Sequence, residues 1–130
     1  MSVLADTSVW VDYLRKGRAS EAARLDDLLV AGEIVVCGPV VAEILAGAKA
    51  EDRNKLWVLF AGLPWADLGP VQWQSVGEVA GRLRERGEMT ALTDIEIAVA
   101  AVESSSRVWT YDADFQRIEG VLTALRFFEP

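Results

Sequence analysis

Two hydrophobic patterns alternate along the chain: short β-branched apolar runs, and longer stretches in which apolar residues recur every three or four positions. The first suits buried strands and the second amphipathic helices. Residues 2–5 are an apolar run that stops at Asp6-Thr7-Ser8. Thr7 or Ser8 is then placed to cap a helix carrying Val9, Trp10, Tyr13 and Leu14, and Gly17 ends it. Residues 21–30 predict a second helix with Leu25, Leu28 and Leu29 on one side, and residues 33–37 a β-branched strand. Gly38-Pro39 opens a helix over 40–50, since a proline in the first turn has no N–H to leave unpaired. Beyond it lie a helix at 52–61, a short strand at 64–68 and a long helix at 70–86, stopped by Gly87. A helix at 93–104, a strand at 107–111, a helical turn at 112–118 and a last strand at 125–128 complete the chain. Strands alternating with helices predict an α/β fold, a parallel sheet covered on both faces as a three-layer α/β/α sandwich.

Composition narrows the chemistry more than the fold. The 130 residues suit one domain over 1–130, and 52% hydrophobic with 25% charged residues excludes a disordered chain. No apolar run approaches the roughly 18 residues of a membrane span. The N-terminus lacks the basic region of a signal peptide, so the cytoplasm is the expected location. Cys37 is alone and cannot form an intramolecular disulfide. There is no histidine. Serine–histidine triads, histidine acid/base pairs and histidine-ligated zinc are therefore excluded. Any catalysis must rest on carboxylates, hydroxyls, Lys/Arg or a metal held by oxygen. The net charge of −7 argues against loose binding to nucleic acid but suits a basic protein partner. It does not exclude a nuclease whose acids are gathered around a cation.

Four acids stand out by position. Asp6 directly follows a buried strand, at the end of the sheet where α/β folds place their ligands. It is equally suited to capping the next helix. Asp112 repeats that arrangement after residues 107–111, with Phe115 as a core anchor. Asp114 reads first as a cap of the following turn, near enough to support a metal or substrate. Asp94 lies in Thr93-Asp94-Ile95-Glu96, a capping-box pattern with Thr93 as the cap and Glu96 reaching back. Helical steps from Asp94 reach Ile97, Ala98, Ala101 and Val102, the apolar stripe, whereas Glu96 is expected to face water. An acid on a buried stripe is costly unless a cation or donor meets it. Glu43 stands in the apolar stretch 40–50, one turn before the small Gly47. Carboxylates sharing a pocket repel one another, and a hard divalent cation relieves that repulsion.

The segments Val3-Leu4-Ala5-Asp6-Thr7-Ser8, Val41-Ala42-Glu43-Ile44-Leu45-Ala46-Gly47, Leu92-Thr93-Asp94-Ile95-Glu96-Ile97-Ala98 and Val108-Trp109-Thr110-Tyr111-Asp112-Ala113-Asp114-Phe115 resemble the four motifs of PIN-domain nucleases. They are most similar to the VapC-type toxins of bacterial type II toxin–antitoxin pairs. The resemblance implies a five-stranded parallel sheet in the order 3-2-1-4-5. It implies Mg²⁺ or Mn²⁺, endonucleolytic cleavage of structured RNA such as tRNA or rRNA, a homodimer, and neutralisation by an antitoxin with a basic C-terminal tail. By motif, Asp6, Glu43, Asp94 and Asp112 are the catalytic and metal-binding acids. Thr7 and Ser8 fill the hydroxyl positions beside the first acid, and Asp114 a supporting one. The motifs do not separate RNA from DNA, so a DNA-directed nuclease or other phosphoryl-transfer enzyme stays open, as does a catalytically silent binding module.

Other residues are weaker candidates. Arg82, Arg84 and Arg86 suit a solvated helix end, with RNA phosphates as the alternative. Arg15, Lys16 and Arg18 stand similarly after the first helix. The five tryptophans are expected mostly in the core. Trp57 and Phe60 are expected at a dimer or antitoxin surface.

Overall fold

The chain is built around one short central strand. In the computed structural model, which describes residues 1–130, β1 (Ser2–Ala5) pairs in parallel with β2 (Ile34–Val35) on one side and β3 (Ser106–Trp109) on the other. Val3, Leu4 and Ala5 are all buried. Successive strand residues point to opposite faces, so both faces of the sheet are covered. The covering helices are α1 (Thr7–Lys16), α2 (Arg24–Val30), α3 (Gly38–Gly47), α4 (Ala50–Ala61), α5 (Pro70–Glu85), α6 (Leu92–Glu103) and α7 (Asp114–Val121). None is long and apolar enough to cross a membrane. One continuous core joins them. Its largest buried side chains include Trp10, Trp109, Phe60 and Phe115.

The parallel α/β architecture is as expected, but the sheet has three strands rather than five. The two outer strands expected at 64–68 and 125–128 shrink to isolated parallel bridges, Val36 with Trp65 and Val108 with Phe127. At the first, the Pro64 carbonyl accepts from Val36 N at 2.9 Å and Ala66 N donates to Val36 O at 2.7 Å. Proline has no N–H to extend the ladder, and Pro70 soon starts α5. At the second, Val108 N donates to Arg126 O at 2.9 Å and Phe128 N to Val108 O at 2.8 Å. Both bridges lie at the outer edges of the sheet, beyond β2 and β3.

Helix starts also differ from the sequence reading. Of the three cap candidates Asp6, Thr7 and Ser8, it is Asp6 that caps α1: it is extended at ψ 161° and its side chain accepts from Thr7 N. A 3-10 turn at Gly17–Ala19 precedes α2, which begins at Arg24. Helix α6 begins at Leu92 after Ala91, with no side-chain cap, so the Thr93–Glu96 box does not form. Phe60 is fully buried, making edge-to-face contact with Trp10 at 5.1 Å, and is core rather than surface. Of the tryptophans, Trp10 and Trp109 are core, whereas Trp57 and Trp73 are about half exposed, at 46% and 48%.

Candidate active site

Strand β1 ends at the sheet's switch point, where the chain leaves for β2 on one side and β3 lies on the other. Asp6 is the first residue past β1, and its amide donates to Trp109 O at the end of β3 at 2.8 Å. The two strand ends expected to be neighbours at this point are therefore neighbours. Asp6 is 5% exposed, the only buried carboxylate in the chain. Three donors hold its oxygens: Thr7 N at 2.7 Å, Ser8 Oγ at 3.0 Å and Thr110 Oγ1 at 2.8 Å.

Thr110 ties that acid to the next. Its hydroxyl donates to Asp6 Oδ2 and accepts from Asp112 N at 2.9 Å. Asp112 Oδ1 accepts in turn from Asp114 N at 2.9 Å, the first amide of α7. The capping role expected for Asp114 thus belongs to Asp112, and the Asp114 side chain is released. Carboxylate oxygens of Asp94, Asp112 and Asp114 all lie within 4.8 Å of one another. Only Arg117, 3.5 Å from Asp114, offers a nearby cation.

Asp94 carries the electrostatic cost of this gathering. Partial burial first, then the charges of Asp6, Asp112, Asp114 and Glu43, push its carboxyl up to about 6. Its stripe is on the core side as expected, with Ile97, Ala98 and Ala101 fully buried. Glu96 departs from expectation. It is half-buried rather than facing water, and burial and the charge of Glu43 raise its carboxyl above the usual range.

Glu43 is exposed, although its neighbours Val40 and Ile44 are buried. It is joined to the crevice through Thr7, whose hydroxyl donates to Glu43 Oε1 at 2.8 Å. A cleft of about 630 Å³ runs beside it between α1, α3 and α4, bordered by Arg15, Lys49 and Lys55. Arg82, Arg84 and Arg86 lie elsewhere, at the end of α5. Arg86 there donates to Gly120 O at 3.2 Å and pairs with Glu88 at 3.4 Å. Lys16 pairs with Asp12 at 3.3 Å.

The fold thus brings Asp94, Asp112 and Asp114 together. Asp6 stands outside that trio, joined to Asp112 through Thr110 and close enough for its charge to raise Asp94, and Glu43 is linked to Asp6 through Thr7. Sequence reasoning missed Thr110 and the inward face of Glu96. Thr110 had a signal: a hydroxyl directly after a strand, as Thr7 and Ser8 follow β1. The donor set is all oxygen and nearly all anionic, in a crevice where a carboxyl already resists ionising. Those are the properties a hard divalent cation selects.

Comparison with known proteins shows the family to which this fold belongs. The PIN domain family profile matches residues 3–121. Ribonuclease VapC11 of Mycobacterium tuberculosis is 31% identical over 121 residues, spanning 89% of this chain and 90% of the relative. Ribonuclease VapC32 of the same organism is 32% identical over 111 residues, spanning 85% and 84%. Among solved structures, VapBC2 from Rickettsia felis, bound to a DNA fragment from its promoter, superposes with a TM-score of 0.76 at 20% identity over 98% of both chains. VapBC-1 from nontypeable Haemophilus influenzae gives 0.77 at 20% identity, covering 99% of this chain and 98% of that one. The structural matches carry the fold, and the closer sequence relatives carry the lineage. Matched along nearly all its length, the chain belongs to the PIN-domain family, in its VapC ribonuclease branch.

Proposed function

We propose that residues 1–130 act as one PIN domain, a Mg²⁺- or Mn²⁺-dependent endoribonuclease toxin that cleaves structured RNA such as tRNA or rRNA and is neutralised by a cognate antitoxin. The observation that carries this reading is the cluster of Asp94, Asp112 and Asp114, with buried Asp6 near enough for its charge to act on Asp94. Asp6, Asp94 and Asp112 would hold the cation, with Glu43 completing the acidic set and Asp114 supporting it. When bound, the ion supplies Lewis acidity toward a phosphoryl oxygen and a readily ionised water.

The chain's own groups have distinct tasks. Ser8 and Thr110 hold Asp6 in one orientation, so that its position is set before anything binds. Thr7 occupies Glu43 Oε1, which leaves Oε2 as a proton acceptor at the open side of the crevice. With no histidine in the chain, a carboxylate at that place is the natural group for that part. Arg15, Lys49 and Lys55 offer charge to the RNA backbone along the cleft next to Glu43. The same acidic crevice is a receptor for arginine or lysine from a basic antitoxin tail. The chain works as a homodimer, for which half-exposed Trp57 is a contact candidate.

The test is incubation of the purified protein with total cellular RNA, and separately with single- and double-stranded DNA, with and without Mn²⁺. Mapping of new 5′ ends should show cuts at a few positions in structured RNA. Equal cutting of DNA would replace this reading with a general nuclease.

A further inference from the structure

Two clefts flank the carboxylates, and they differ in charge. The one beside Glu43 is lined by three cations, Arg15, Lys49 and Lys55, against two acids, Glu43 and Asp52. The other, about 390 Å³, lies between the end of β3, the start of α7 and residues 127–130. No lysine or arginine lines it, and its charged residues are both acids, Asp112 and Glu129. Two guanidiniums, Arg24 over the Phe128 ring at 5.4 Å and Arg107 on the Phe127 carbonyl at 3.4 Å, are already engaged with its wall residues and are not among its lining, so the two acids disfavour a phosphate there. Its size is within the roughly 300–1,000 Å³ of small-ligand sites, and its walls include Tyr111, Phe127 and Phe128.

Tyr111 is 45% exposed, yet both ends of the residue are tied to α1. Its amide donates to Ser8 Oγ at 3.3 Å and its hydroxyl to Asp12 Oδ2 at 3.3 Å. Gln116, exposed on α7, lines the same cleft, and its side-chain amide makes no hydrogen bond within the chain. Asp112 belongs both to this cleft and to the carboxylate cluster. An occupant of the cleft therefore sits next to the cleavage point. It must be uncharged, partly apolar, and equipped with hydrogen-bonding edges. An unpaired nucleobase has that chemistry, and aromatic walls with an amide are how proteins read one.

We propose that this cleft receives one unpaired base of the RNA flanking the scissile phosphate, with Gln116 bonding its edge and Tyr111 packing against its face. The proposal rests on the ribonuclease reading and adds to it where sequence preference is set. The test uses short RNAs that differ only in the base beside the mapped cut, one of them abasic at that position. Wild type is compared with Gln116→Ala, Tyr111→Ala and Tyr111→Phe, and the Mn²⁺-induced rise in melting temperature is followed in parallel. Wild type should favour one base by about tenfold in kcat/KM and lose a similar factor on the abasic RNA. Gln116→Ala should flatten the base preference, mainly through KM. Tyr111→Ala should raise KM for every base, and Tyr111→Phe should retain most of the affinity. The Mn²⁺ response should be the same in all four proteins. If Tyr111→Ala fails to fold, Gln116→Ala and the abasic RNA still decide. An abasic RNA cut as well as its parent, or a base preference unmoved in Gln116→Ala, would overturn the proposal. If wild type cleaves no RNA at all, the ribonuclease reading falls first and this proposal with it.

Discussion

At the scale of single residues, Asp94 sets the behaviour of the metal-free protein. Its carboxyl, near 3.8 when unfolded, titrates at about 6 in the fold. Between those values the folded state binds more protons than the unfolded one. This group therefore makes stability fall as pH rises from about 4 to about 6, and leaves it level above. Asp94→Asn should remove that slope and raise the melting temperature in EDTA at neutral pH. The same change should abolish most of the stabilisation by Mn²⁺, which for an ion at a hundredfold excess over Kd is about 2.7 kcal/mol. Melts across pH, with and without Mn²⁺, check both. Thr110 makes a second prediction. Thr110→Val removes one of the two donors to Asp6 Oδ2, leaving Ser8 Oγ, and takes the acceptor from Asp112 N, at a cost of about 1–3 kcal/mol in urea unfolding, and Thr110→Ser should restore most of it. Asp6, Asp94 and Asp112 were legible because each breaks an apolar pattern at a strand end or on a helix stripe. Glu96 was misread because its neighbours suggested a more polar face. Its surroundings come instead from Glu43 on another helix, which periodicity cannot see.

At the scale of elements, strands and helices were placed well, and their limits less so. The central strands were visible as β-branched runs. The outer two were overestimated, because an extended segment becomes a ladder only if its amides have partners, and Pro64 removes one. At both acidic helix starts the sequence left the cap open between the acid and a later residue. Asp6 rather than Thr7 caps α1, and Asp112 rather than Asp114 leads into α7. In each case the acid at the strand end was already placed to take the next amide. Helix α4 illustrates the same limit in packing. Phe60 is buried against Trp10, while Trp57 three residues earlier is about half exposed and edge-on to Trp65 at 6.0 Å. Phe60→Ala should cost about 3–5 kcal/mol, and Trp57→Ala far less. If Trp57 lies in the dimer contact, its loss should show in sedimentation rather than in the melting of the monomer.

At the scale of the whole molecule, charge is the organising quantity. A net charge of −7 with the carboxylates converging on one crevice makes a receptor for cations, whether metal ions or the arginines and lysines of a partner. A short peptide rich in arginine and lysine, standing in for an antitoxin tail, should bind in the absence of RNA, inhibit cleavage, and weaken steeply between low and high salt. Binding that ignores ionic strength would place its main contacts outside the crevice. The absence of histidine was the sequence feature that reached furthest, since it left an oxygen-held metal as the simplest source of a nucleophile. The most direct measurement of the central claim follows from it: cleavage of one mapped RNA by the wild type and by Asp94→Asn, in EDTA and after Mn²⁺ is restored. The account predicts no cutting by the wild type in EDTA, recovery at the same site with Mn²⁺, and almost none by Asp94→Asn in either. Cutting at full rate in excess chelator, or an Asp94→Asn protein as active as wild type, would contradict it.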